Sequence, residues 1–84
     1  MGVDLLGPDP IYRQIAAVIV ERIKDGTYEP DRAIPSEAAF CAEFDVSRNT
    51  VRSAIRLLNK EGVLRTVMGR GTFVVRQDGA PPPG

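Results

Sequence analysis

The chain of 84 residues is long enough for one small domain, and 43% of its residues are hydrophobic, which permits only a thin core. Its single cysteine excludes an intrachain disulfide and a cysteine-rich zinc site, and the lack of histidine excludes His-based metal sites and His-dependent catalytic triads. No run approaches the ~20 apolar residues that span a bilayer, and no secretion signal begins the chain, so we expect a cytoplasmic protein.

The formal net charge is zero, but the charges are unevenly distributed along the chain. Residues 1–44 contain eight acidic and four basic side chains, whereas residues 45–76 contain seven basic and two acidic ones. Because binding responds to the local field rather than to the total charge, the second half is a candidate surface for a polyanion.

The first half of the chain predicts a loose arm over residues 1–8, followed by two helices. Asp9 is the expected N-cap of the first helix, and Pro10 is its expected first residue, where a missing N–H costs nothing. An apolar stripe at helical spacing then predicts one buried face, and Gly26 ends the helix. The stripe consists of Ile11, Ile15, Val18, Ile19 and Ile23.

The second helix is predicted to be short and to follow an extended segment. Residues 33–35 are expected to be extended because Ile34 precedes a proline. Ser36 is a good N-cap for the helix. The expected buried face consists of Ala39, Phe40 and Phe44.

The second half of the chain predicts a third helix and a β-hairpin. The helix begins at its N-cap Ser47 and ends at about Glu61. Its expected core stripe consists of Val51, Ile55 and Leu58. Apolar and β-branched runs at 63–67 and 72–75 flank a glycine-containing turn at 68–71, a pattern typical of a hairpin.

The order of helix, helix, tight turn, helix and hairpin predicts a mainly α fold, the winged helix-turn-helix, with three helices and a two-stranded wing. We assign this domain to residues 9–76. Residues 77–84 are rich in proline and predict a flexible tail or an interdomain linker.

Four basic residues recur at intervals of four along the third helix and share one of its faces. They are Arg48, Arg52, Arg56 and Lys60, here called the basic row. The first turn of a helix favours acidic residues, yet Arg48 and Arg52 lie in or near it and no acid of that turn offsets them. We expect phosphates or base edges of DNA to supply the missing negative partners. The alternative is a solvated helix face, the usual place of surface charges.

Position along the third helix separates the expected roles of its polar residues. The first residues of a recognition helix reach base edges, while later ones tend to meet the phosphate backbone. We therefore assign Arg48 and Asn49 to base edges, with Arg52 as a further candidate. Arg56 and Lys60 are candidates for phosphate contact.

Three small polar residues at the start of this helix have two possible roles. Asn49 is suited to bidentate pairing with adenine, and Thr50 to a thymine methyl group or a phosphate. The alternative for Ser47, Asn49 and Thr50 is local capping of the helix. For Ser47 capping is expected, with a phosphate contact as a possible second role.

The predicted turn at residues 68–71 is a second candidate contact. Its sequence is Met68-Gly69-Arg70-Gly71, in which two glycines let the backbone approach another surface closely. An arginine at such a tip can enter a narrow minor groove. The alternative is an ordinary hairpin turn with a solvated arginine.

Other classes of function have less support in the sequence. The acidic residues form no pair suited to catalysis, no phosphate-binding loop is present, and no cofactor is expected, so we predict that the chain is not an enzyme. The main alternative is a winged-helix module that binds another protein, for which the acidic first half is suited. An RNA-binding domain lacks exposed aromatic residues for stacking, because those present occupy core-like positions.

Together these motifs resemble the N-terminal DNA-binding domain of the GntR family of bacterial transcription regulators. The resemblance runs from Pro10 to Val75 and is carried by the segments 10–15, 23–26, 34–37, 44–52, 58–62 and 69–74. It implies a winged helix that binds operator DNA as a homodimer on a short inverted repeat, usually as a repressor. It also implies DNA contacts at Arg48, Asn49, Thr50 and Arg52, and at the wing around Met68 and Gly69.

The chain departs from the family pattern in three respects. Asp31 stands where the family often has glycine, and Ala38 stands where many members have an arginine that contacts DNA. The family also has a C-terminal domain that dimerises and binds a small effector, which the present 84 residues lack. A natural minimal protein is conceivable, but we favour a fragment, with residues 77–84 as the start of the linker.

The resemblance also suggests a location with the nucleoid in the cytoplasm. The candidate DNA-contacting residues lie at the start of the second helix, along the third helix and in the predicted turn. They are Ser36, Ser47, Arg48, Asn49, Thr50, Arg52, Arg56, Met68, Gly69, Arg70 and Gly71.

Overall fold

The computed structural model describes residues 10–76, which form three helices followed by a two-stranded antiparallel hairpin. The elements are α1 (Ile11–Lys24), α2 (Glu37–Phe44), α3 (Arg48–Lys60), β1 (Leu64–Val67) and β2 (Gly71–Val74). This order confirms the predicted fold class. The arm at 1–8, the N-cap assigned to Asp9 and the tail at 77–84 lie outside the described residues. No helix within residues 10–76 has the length and apolarity needed to cross a membrane.

The helix starts follow from their capping residues. Pro10 occupies the N-cap of α1, so this helix begins one residue later than predicted. The hydroxyl oxygen of Ser36 accepts the backbone N–H of Ala39 at 3.2 Å, as expected of an N-cap. The Ser47 hydroxyl likewise accepts the backbone N–H of Thr50 at 3.3 Å. Both serine caps confirm the predicted starts of α2 and α3.

The turn between α2 and α3 is tight because one residue adopts a left-handed conformation. Asp45, the C-cap of α2, has φ 56°, a region that aspartate tolerates better than most residues. The next residue, Val46, donates its backbone N–H to the Cys41 carbonyl at 3.3 Å. The chain therefore changes direction within a few residues, and α3 begins directly after the C-terminal end of α2.

The core lies between the three helices and the base of the hairpin, and Phe40 at its centre is completely buried. The predicted stripes are confirmed at their central positions; the buried residues include Ile15, Val18, Ile19, Val51, Ile55 and Leu58. The assignment of Ala39 to the core is wrong, because its side chain is exposed. Phe40 and Phe44 are four residues apart and share a face of α2, whereas Ala39 lies about 100° away around the helix.

A third extended segment pairs with the wing. The backbone N–H of Asp31 donates to the Val74 carbonyl at 2.9 Å, and that of Ile34 donates to the Thr72 carbonyl at 2.9 Å. Asp31 has φ 64°, which gives a physical reason why glycine is frequent at this position in the family. The Asp31 carboxylate also forms an ion pair with Arg76 at 2.9 Å. This pairing attaches the segment between α1 and α2 to β2.

Candidate nucleic-acid interface

The N-terminus of α3 presents four consecutive polar residues after the tight turn. Ser47, Arg48 and Asn49 are exposed, and Thr50 is half-buried. Besides its capping bond, the Ser47 hydroxyl lies 3.0 Å from the Thr50 hydroxyl. Local capping therefore engages Ser47 and Thr50, whereas neither Arg48 nor Asn49 has a side-chain partner among residues 10–76.

The basic row is exposed along its whole length, but its members differ in their partners. Within the described residues, Arg48, Arg56 and Lys60 have no ion-pair partner. Arg52 instead forms an ion pair with Glu37, in which Nε to Oε2 and Nη2 to Oε1 are both 3.3 Å. Hydrogen bonding to Glu37 raises the pKa of the Arg52 guanidinium.

The first turn of α3 contains no acidic residue, as predicted, but the negative partner of Arg52 is already supplied by another helix rather than left to DNA alone. The partner is Glu37, in the first turn of α2, where an acid also complements the helix dipole. The two residues are fifteen positions apart in sequence. They meet because α2 packs against α3 after the tight turn.

The wing tip is a turn at residues 68–70, one residue shorter than predicted because Gly71 already belongs to β2, and left-handed glycines lie in it and directly after it. Gly69 has φ 79° and Gly71 has φ 125°, backbone angles that residues other than glycine rarely adopt. The turn is closed by a 3.0 Å bond from the Arg70 backbone N–H to the Val67 carbonyl. Met68 is 97% exposed, and Arg70 is exposed without an ion-pair partner in the described part of the chain. The tip therefore offers both an apolar and a cationic side chain.

A polar contact fastens the wing to α3. The Asn59 side chain donates from Nδ2 to the Thr66 hydroxyl at 2.9 Å and accepts the Thr66 backbone N–H at 3.0 Å. The Thr66 hydroxyl lies 3.1 Å from that of Thr72 on the opposite strand. The role of Asn59 was missed from the sequence, although an asparagine inside a helix is unfavourable and could have marked it.

The candidates thus form two separate groups. The first lies at the N-termini of α2 and α3, which the bond between Glu37 and Arg52 links, and continues along α3; it comprises Ser36, Ser47, Arg48, Asn49, Thr50, Arg52 and Arg56. The second is the wing tip, which lies two residues beyond the anchored Thr66. No group of acidic or cysteine side chains suited to a metal ion occurs among residues 10–76.

Comparison with known proteins identifies relatives over most of the chain. A family model described as bacterial regulatory proteins, gntR family, matches residues 11–74. The transcriptional repressor NagR of Bacillus subtilis (strain 168) is 43% identical over 74 residues, covering 88% of this chain and 30% of NagR. The repressor MngR of Escherichia coli (strain K12) is 46% identical over 69 residues, covering 82% of this chain and 29% of MngR. The chain thus spans about 30% of the length of these relatives.

Solved structures agree with this assignment. The DNA-binding domain of AraR, in complex with operator ORX1, superposes with a TM-score of 0.79 at 36% identity, covering 89% of this chain and 99% of that one. YtrA from Sulfolobus acidocaldarius, a GntR-family transcription factor, has a TM-score of 0.81 at 33% identity, covering 89% and 79% of the two chains. These relatives are transcription regulators and not enzymes, as predicted. The chain belongs to the GntR family of bacterial regulatory proteins.

Proposed function

We propose that this chain is the DNA-binding domain of a transcription regulator. In this proposal α3 enters the major groove, and the wing tip contacts the minor groove or the phosphate backbone. The observation that carries the proposal is the basic row, an exposed cationic helix face on which Arg48, Arg56 and Lys60 lack acidic partners within residues 10–76. Phosphates and guanine edges supply the complementary negative groups. The names of the relatives as repressors, and the operator complex of AraR, support this function.

Base recognition is assigned to the start of α3. Arg48 and Asn49 are exposed, have no side-chain partner among the described residues, and lie in the turn that reaches base edges in helix-turn-helix proteins. Arg48 is suited to guanine and Asn49 to adenine. Arg52 is the third candidate for base contact, while Arg56 and Lys60, further along the helix, are assigned to phosphates.

The hydroxyl groups at the helix caps remain available to DNA. A hydroxyl has one donor and two acceptor sites, and capping by Ser36 uses one acceptor site. Its O–H group can therefore donate to a phosphate oxygen. Ser47 and Thr50 share one bond between their hydroxyls, and the member that accepts that bond keeps its own O–H for a phosphate.

The wing is assigned a supporting role. Arg70 provides positive charge at the tip, Gly69 and Gly71 let the backbone approach the DNA, and Met68 can contact the walls of a groove. Since these contacts carry little base information, they are expected to add affinity more than sequence preference.

The proposal extends to the wider assembly, which membership of the family supports. Two copies bind a short inverted repeat as a homodimer, in the cytoplasm with the nucleoid. A further C-terminal domain binds a small effector. The relatives are long enough to contain such a domain, because this chain covers only about 30% of their length. Without such a domain the module binds weakly, because one small module buries only about 600–1,000 Å² on DNA.

Selection of bound sites from a random duplex library tests the proposal. We expect an enriched inverted repeat, preferred over scrambled duplex, with affinity falling steeply as salt increases. Replacing Arg48 by alanine should cost roughly 1–3 kcal/mol on the selected site and relax one base preference, whereas Arg70→Ala should weaken all duplexes similarly.

The matched control is Arg32→Ala, which removes an exposed arginine from the loop between α1 and α2. Equal affinity of Arg48→Ala and the parent would contradict the role of Arg48. A parent without sequence preference or salt dependence would contradict DNA binding and leave a protein-binding module as the alternative. DNA binding would also be contradicted if the amide chemical shifts of residues 47–56 stayed unchanged as the selected duplex is added.

A further inference from the structure

The ion pair between Glu37 and Arg52 uses only part of the hydrogen-bonding capacity of either side chain. An arginine has five N–H donors, and Glu37 engages one on Nε and one on Nη2. The outer edge, with Nη1 and the second N–H of Nη2, therefore remains free. Guanine presents O6 and N7 in the major groove, which match that outer edge as two acceptors.

The Glu37 carboxylate also has unused acceptor sites. Each of its oxygens accepts one N–H from Arg52 and retains another lone pair. Carboxylates in the major groove accept from the N4 amino group of cytosine. Glu37 and Arg52 together therefore offer donors for guanine and acceptors for cytosine, the two halves of one base pair.

The pair is loosely bonded and accessible from solvent. Its two distances of 3.3 Å exceed the 2.7–2.9 Å typical of charge-assisted bonds. The side chains remain 46% exposed for Arg52 and 35% exposed for Glu37. Arg56, one helical turn further on, is also exposed but has no acidic partner in the described part of the chain. The two arginines therefore face DNA in different electrostatic settings.

We propose that Glu37 is a specificity-determining residue, which holds the outer edge of Arg52 toward base edges and disfavours contact of Arg52 with phosphate. The inference rests on the proposed DNA binding and extends it to a residue outside the predicted contact set. Its physical basis is twofold: the two bonds orient the guanidinium, and the carboxylate both offsets the charge of Arg52 and repels phosphate. Arg56, which lacks such a partner, serves sequence-independent attraction.

Glu37→Gln tests the proposal, since glutamine has the same shape without the charge. The parent and the variant are titrated with the selected duplex and with scrambled duplex at several salt concentrations. We expect the ratio of the two affinities to fall on the order of tenfold to a hundredfold. Binding to scrambled duplex should be unchanged or tighter, with a log–log salt slope steeper by about one because Arg52 becomes free to meet a phosphate.

Double variants test whether the effect of Glu37→Gln on sequence discrimination acts through Arg52. With Arg52→Ala already present, Glu37→Gln should cause a clearly smaller loss of discrimination than in the parent, because only the contact of Glu37 with cytosine remains to be weakened. With Arg56→Ala present it should cause the full loss. Glu61→Gln is the matched control, because it removes one acidic charge at the opposite end of α3, where Glu61 is the C-cap. It should leave discrimination unchanged. Glu37→Asp, which retains the charge but is one methylene shorter, should lose discrimination without a steeper salt slope.

The outcomes separate this inference from the proposed function. A parent that discriminates, together with a Glu37→Gln variant that discriminates equally well, overturns the inference alone. An equal loss from Glu37→Gln in the Arg52→Ala background also overturns it, since the effect would then not pass through Arg52. A parent that prefers no sequence overturns DNA recognition itself. Circular dichroism of each variant verifies that α2 is still folded.

Discussion

The two ends of α2 each present a glutamate to an arginine of a neighbouring helix, yet the two pairs differ in their surroundings. At the C-terminal end, Glu43 bonds Arg22 of α1 through both carboxylate oxygens. At the N-terminal end, Glu37 bonds Arg52 of α3. The glutamates are similarly exposed, at 41% and 35%, so the difference lies with the arginines, at 25% and 46%.

Arg22 is held by more than its glutamate. Its Nη1 also donates to the Tyr28 hydroxyl at 2.7 Å, and its guanidinium lies 5.8 Å from the Tyr28 ring centre and 5.6 Å from that of Phe44. The bonds to Glu43 and Tyr28 raise the pKa of Arg22, and Arg22 lowers the pKa of the Glu43 carboxyl. The cluster joins α1, the following loop and α2 into one unit.

The comparison shows that residue type alone does not reveal the role of an ion pair. Around Arg22, the Tyr28 hydroxyl and two aromatic rings add to the two bonds from Glu43. Arg52 has a single partner and an exposed outer edge. The first pair is therefore suited to stabilising the fold and the second to meeting a ligand.

The largest expected effect on stability comes from Arg22→Met, which retains the aliphatic stem but removes the charge and its bonds. The free energy of unfolding should fall by about 1–3 kcal/mol, because Glu43 and Tyr28 lose a charged donor. Urea denaturation measures this, with Arg32→Met as the control for an exposed arginine. An unchanged unfolding midpoint would refute the stabilising role of the cluster.

A smaller loss is expected from Asn59→Ala, which removes both side-chain bonds to Thr66. Stability should decrease by about 1 kcal/mol, and the wing should lose its attachment to α3. Arg70→Ala should then weaken DNA binding less in this background than in the parent, because the tip is no longer held in place. DNA titration of the single and double variants measures the coupling, and independent effects of the two changes would argue against anchoring.

The Glu43 cluster also predicts a dependence of stability on pH. Because the folded state lowers the pKa of Glu43 below its ordinary value of 4.5, the stability gained from the pair is present above 4.5 and is lost as pH falls through the lower folded value. Glu43→Gln should therefore be less stable than the parent at neutral pH, and the gap should narrow in acid. Thermal unfolding across this range measures the gap; a constant difference would contradict the prediction. Asp25, whose pKa is lowered by bonds from Thr27, is common to both proteins and cancels.

The smallest expected effect on stability is that of Arg52→Ala. Since exposed ion pairs contribute little to folding, its unfolding midpoint should match that of the parent. Its discrimination between the selected and the scrambled duplex should nevertheless fall. Finding the reverse, a destabilised domain with intact discrimination, would make the Arg52 pair structural like that of Arg22.

Most of the fold was predictable from local pattern. The apolar periodicity of α1 and α3, the caps Ser36 and Ser47, and the glycine-containing turn of the wing each depend on residues close in sequence. The same holds for the exposed basic row, because a helix places every fourth residue on one side. The error at Ala39 arose within α2, whose eight residues are too few for a clear periodicity.

The contacts that were not predicted join distant positions. Glu37 meets Arg52, Asn59 meets Thr66, and the segment after α1 pairs with β2. None of these partners can be chosen from propensity, since each residue has several equally suitable partners in the chain. Only the packing angles of the helices and the position of the wing select among them.

The amino-acid sequence by itself determined the elements, their order and the cationic face of α3, because helix periodicity, capping and turn formation act over a few residues. The tertiary structure decided which of the cations on that face has an acidic neighbour, because an ion pair requires two side chains within about 4 Å and only the folded chain sets that distance. The division between Arg52 with its partner Glu37 and Arg56 without one is therefore a property of how α2 packs on α3.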